Sequence, residues 1–200
     1  MFVEQFLPLI VGFLLTTVAG GALGFFFQGR AWAHQHRVLL EQQEQERATQ
    51  VFEEVSRLLD KRIYRMKRVH WALKRELESG QRSQATEGAL EDYRGILFEW
   101  NDSINRNLAL IQQYFGARFR DEFDYAIGSR MVDIGKELEA VSNQGATSPC
   151  GESGVLERRL HDLGLVVYHF NLEMIRALQS RKVGWLVAEN RRSPDESGQR

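Results

Sequence analysis

Cysteine, proline and an excess of charge of either sign are what this chain most conspicuously lacks. Its one cysteine, Cys150, cannot build an intramolecular disulfide framework or a cysteine-based zinc site. A formal net charge of -1 argues against a globally basic nucleic-acid binder and against a strongly acidic protein. Only Pro8, Pro149 and Pro194 occur, with none between residues 9 and 148. Because proline disfavours a helix interior by about 3 kcal/mol, that interval predicts long helices.

Catalytic signatures are missing as well. There is no GxxxxGK[ST] phosphate loop, no GxGxxG after a strand and no GxSxG nucleophile elbow. No glutamate has a histidine three residues later, as a carboxylate-bridged di-iron bundle needs. HExxH and HxxxH are absent too. Glu157–His161 and His169–Glu173 are i,i+4 pairs, which ordinary pairing on a helix surface explains. The expectation is a protein with no enzymatic activity, no metal and no cofactor.

What is present is one long uncharged run, residues 6–27, FLPLIVGFLLTTVAGGALGFFF. At about 1.5 Å per residue it would reach roughly 33 Å as a helix, enough for a bilayer core of about 30 Å. It leaves about 170 residues, the size of one further domain. A mean hydropathy of -0.38 with 43% hydrophobic residues fits one span plus such a domain rather than a polytopic protein. Ala31-Trp32-Ala33 has the small-x-small form of a signal cleavage site, but the leader carries Glu4 and no basic residue, and the run exceeds a signal core. An uncleaved anchor is the better reading. Arg30 and Arg37 flank its C-terminal side, which by the positive-inside rule places residues 1–5 outside and the remainder in the cytoplasm, with a bacterial inner membrane as the expected location.

Within the run, Gly12, Thr16, Gly20 and Gly24 recur every four residues and share one face. Such a ladder lets two helix backbones approach closely. The plainer explanation is that glycine and threonine are common in membrane helices. The ladder tips the expectation toward a homo-oligomer or a membrane-protein partner in the lipid bilayer.

Residues 28–50 are helix-forming with a thin apolar stripe and read as a helical stalk, with a coiled coil between two copies as one arrangement. Residues 51–189 read as an antiparallel helical bundle, with four helices the expected number. In the first helix Val55, Leu59, Ile63, Met66, His70, Leu73 and Leu77 step by three or four. Residues 80–86 form a loop, with Thr86 as the candidate N-cap. The second stripe is Leu90, Tyr93, Leu97, Trp100, Ile104, Leu108 and Ile111, and Gly116 is the expected stop. A third stripe runs from Phe119 to Val141, with Asp121 and Glu122 in its first turn; helices two and three could also form one rod. After a loop at 143–154, the fourth carries Leu156, Leu160, Leu163, Val167, Phe170, Met174 and Ala177. Residues 190–200 read as a disordered tail. The fold class is therefore all-α: transmembrane helix, stalk and bundle.

Two clusters invite a functional reading. Arg57, Lys61, Arg62, Arg65, Lys67, Arg68, Lys74 and Arg75, interleaved with Tyr64 and Trp71, resemble a nucleic-acid or anionic-lipid surface. Charge pairing across a helical hairpin, with Glu99 and Asp102 near the level of Lys67 and Arg65, accounts for them more simply, and nucleic acid is not an expected partner. Asn101, Asp102, Asn105 and Arg106 flank the second stripe and suggest either a polar pocket or, preferably, register-fixing hydrogen bonds. The leading function is a non-catalytic interaction, scaffolding or assembly subunit at the cytoplasmic face of a membrane, a cytoplasmic protein being one partner to expect. The alternative is a signalling protein whose bundle senses a ligand and transmits a helix shift.

Overall fold

The computed structural model describes residues 2–81, 83–144 and 151–184, including their side chains except those of residues 2–11, 14, 27, 33, 144 and 151–153. The described chain is all-helical and has no strand. Helix α1 is Phe2–Ser79, α2 Gln84–Tyr114, α3 Ala117–Asp121, α4 Ser129–Gln144 and α5 Gly151–Gln179; a π-helical segment, Glu122–Gly128, joins α3 to α4. The expected tail at 190–200 and residues 145–150 of the expected loop at 143–154 lie outside the described residues; residues 143, 144 and 151–154 of that loop are helical instead.

The chain divides into two compact units, Met1–Gln43 and Glu44–Arg200. In the first, Phe13, Leu15, Val18, Leu23 and Phe25 are between 59% and 82% exposed. Gly12, Thr16, Gly20 and Gly24 are exposed, and a Cβ added at any of the three glycines would meet nothing within 4 Å. Thr16 donates its hydroxyl hydrogen bond to the Gly12 carbonyl, and Thr17 to that of Phe13 at 2.8 Å, so both hydroxyls are satisfied within their own helix. Among the described residues no helix is long and apolar enough to cross a membrane. Eight side chains of the run 6–27, those of 6–11, 14 and 27, lie outside that description.

In the second unit the stripes read from the sequence form one core. Val55, Leu59, Ile63, Met66 and Leu73 of α1 pack with Leu90, Tyr93, Trp100 and Ile111 of α2 and with Leu156, Leu160, Leu163, Val167, Phe170 and Met174 of α5. Each such side chain, once buried, contributes about 1.5–3 kcal/mol. Ion pairs fix the direction of packing. Glu54 meets Arg106, Lys61 meets Glu99, and Arg65 meets Asp92, so α2 runs antiparallel to α1. Lys74 meets Glu157, and Gln45 Nε2 donates to the Leu178 carbonyl at 2.7 Å, so α5 is antiparallel to α1 as well.

Helix ends follow local chemistry. Ser83, not Thr86, caps α2: its backbone is extended (φ -109°, ψ 137°), and its hydroxyl accepts from the Ala85 N–H at 3.1 Å. Thr86 instead falls inside the first turn, buried. The chain breaks after Tyr114, where Gly116 takes φ 97°, so the second and third helical segments are separate. Asp121 closes α3 rather than opening it, so Asp121 and Glu122 do not stand in a first turn at that break. Beyond them the i→i+5 bonding of the π segment widens the turn and keeps Phe123, Ile127 and Met131, spaced by four, facing the core. Phe123 stacks on Trp100 with ring centroids 5.3 Å apart.

Candidate functional site: a cleft between helices α1 and α5

The basic run of α1 resolves into three groups. Lys61 and Arg57 share Glu99, and Arg65 and Arg68 share Asp92, one helical turn and more from the register expected of Glu99. Asp102 is exposed and pairs with none of them. These are half-exposed surface pairs, each contributing up to about 1 kcal/mol. Arg62 leaves the surface altogether. It lies three residues after Leu59 and four before Met66, on the core stripe, and is 2% exposed. Its guanidinium carbon sits 4.5 Å from the Trp100 ring centroid, and its Nε and Nη1 have no hydrogen-bond partner. Burial pulls its pKa down from the ordinary arginine value, and burial pushes that of the neighbouring Tyr93 up. Although the two groups feel each other electrostatically, Tyr93 Oη makes no hydrogen bond of acceptable geometry.

The asparagine cluster does not form a pocket. Asn101, Asp102, Asn105 and Arg106 are all exposed, and Arg106 is occupied by Glu54. None of them lines the cavity between α1 and α5. The buried stripe of α2 steps from Trp100 directly to Asn107, a heptad apart, which turns residues 101 and 105 to the outer face. The core asparagine is Asn107, 1% exposed, with neither amide atom partnered. Its place was signalled in the sequence by its seven-residue offset from Trp100 and its four-residue offset to Ile111.

A built cavity lies elsewhere. Between α1 and α5, Lys67, His70, Trp71, Gly154, Glu157, Arg158, Leu160 and His161 enclose about 510 Å³. Leu160 and His70 are buried while Trp71 is half exposed. His70 occupies a core position, 3% exposed, yet its Nε2 finds no hydrogen-bond partner; Glu157 Oε2 is 3.9 Å away. Glu157 is engaged by Lys74 at 3.3 Å. Burial lowers the His70 pKa, Lys74 pushes the same way and Glu157 opposes them, so the ring is neutral near pH 7. Lys67 extends along the surface of α5, its Nζ 3.8 Å from where a Cβ on Gly164 would stand. Among the described residues neither Lys67 nor Arg158 has a carboxylate partner.

The chain matches no protein-family model, no curated protein and no solved structure. Its function must be argued from its own residues. Among the described residues no group of three or more His, Cys, Asp or Glu side chains could hold a metal ion. The cleft offers instead two uncompensated cations, a neutral buried imidazole and an indole.

Proposed function

We propose that this chain is a single-pass membrane protein whose helical bundle serves as a non-catalytic interaction or assembly subunit on the cytoplasmic side. The observation that carries this reading is the exposure of Phe13, Leu15, Val18, Leu23 and Phe25 on one uncharged helical run. An apolar surface of that kind is unfavourable in water and calls for lipid or another protein around it. Internal satisfaction of Thr16 and Thr17 suits hydrocarbon, where an unpaired hydroxyl is expensive. The open Gly12, Thr16, Gly20 and Gly24 face then gives a second membrane helix a close approach.

Extraction of a tagged full chain in a mild detergent, followed by native mass determination, tests the interaction role. A homo-oligomer or a stoichiometric second protein supports it; a bare monomer from every extraction contradicts it. A second reading, a membrane-bound sensor, is favoured by the cleft at His70, since a bundle with a ligand site can couple occupancy to helix position.

A further inference from the structure

We propose that the α1–α5 cleft binds a small organic anion with a planar body, its carboxylate or phosphate held by Lys67 and Arg158 and its ring against Trp71. The volume of about 510 Å³ falls in the range of roughly 300–1,000 Å³ typical of small-molecule sites.

The charge balance selects an anion. Four ionised groups face the space or its rim: Lys67, Lys74, Arg158 and Glu157. Glu157 is taken up by Lys74, which leaves two positive side chains facing the cavity with no counter-charge among the described residues. An arginine and a lysine that line one space suit carboxylate and phosphate oxygens. The body of the ligand follows from the walls. Trp71 and Leu160 are apolar, Gly154 adds no bulk, and an exposed indole face favours a flat partner. His161, the remaining titratable group on the α5 wall, supplies a further ring edge at the rim. This inference concerns the bundle alone and does not depend on where the protein resides.

The test uses the full chain in detergent with two planar anions as probes, adenosine monophosphate and 2-naphthoate, and with inorganic phosphate and adenosine as controls. Binding is read by calorimetry and by the imidazole nitrogen signals of His70. At least one planar anion is expected to bind saturably and shift the His70 signals, while both controls bind more weakly. Lys67→Met with Arg158→Met, two changes outside the buried core, should weaken that binding by about 10-fold or more with the melting temperature unchanged. Failure of both planar anions to bind at millimolar concentration, inorganic phosphate matching adenosine monophosphate, or undiminished binding in the Lys67/Arg158 variant would overturn the proposal.

Discussion

The guanidinium carbon of Arg62 lies 4.5 Å from the centre of the Trp100 ring, inside the core and without a carboxylate among the described residues to pair with it. A buried cation of this kind gains from the indole face, by about 2 kcal/mol when desolvated. It loses more through dehydration of a charge whose Nε and Nη1 stay unbonded. Arg62→Met keeps an unbranched apolar side chain on the core stripe and removes the charge. The variant should be more stable than the parent by about 1–3 kcal/mol, measured by denaturant titration of the full chain. A loss of stability would mean that the guanidinium has bonding the geometry does not account for.

Tyr93 makes a second close relationship. Its hydroxyl reaches the backbone of Gly135 on α4, so a Cβ at that glycine would collide with Oη. Alanine favours a helix over glycine by about 1 kcal/mol, yet overpacking a filled core costs about 1–3 kcal/mol. Because Tyr93 is almost fully buried, its ring has little freedom to yield. Gly135→Ala should therefore be destabilising on balance. Adding Tyr93→Phe removes both the collision and an unpaired buried hydroxyl, and should restore stability to the parent level or above. Additive rather than compensating effects in this pair would show that the notch is not what Gly135 supplies.

His70 gives the bundle a pH dependence whose sign is fixed. In the unfolded chain its imidazole takes a proton near pH 6.5; in the folded chain burial and Lys74 hold its pKa lower, against Glu157. Between those two values the unfolded state binds more protons, so stability rises with pH through the window and is level above about 6.5. Lys67, Arg158 and His161 line the same cavity, and added positive charge there works in the same direction. Stability should fall as pH is lowered from 7 toward 5, and His70→Phe should remove that part of the slope. A parent and a His70→Phe variant with parallel profiles would contradict the assignment.

Much of the bundle was legible because its signal is local and periodic. Leu59, Ile63, Met66 and Leu73, or Leu156, Leu160, Leu163 and Val167, announce a buried face by spacing alone, and each is buried. The polar core members were harder to see. Arg62 sits in composition among basic neighbours, although its offsets from Leu59 and Met66 put it on the stripe. Asn107 was passed over for Leu108 because the second stripe drifts by one residue, and only tertiary packing decides between adjacent positions. The notch at Gly135 and the cleft at His70 join residues from different helices. No pattern along a single helix reveals that Lys67 lies over Gly164, or that His70 Nε2 is buried without a partner.

The account rests above all on residues 6–27 being a membrane anchor with the bundle on the cytoplasmic side. The most direct measurement is expression of the full chain in bacterial cells with a C-terminal reporter that fluoresces only when folded in the cytoplasm, followed by alkaline carbonate washing of the membranes. The chain should stay in the washed membrane pellet and be fluorescent. The double substitution Leu15→Arg and Val18→Arg, which places two charges in the run at about 2.5–3.5 kcal/mol each, should release it. Recovery of the unaltered chain in the carbonate supernatant, or a membrane-bound but dark reporter, would contradict the anchor or its orientation respectively.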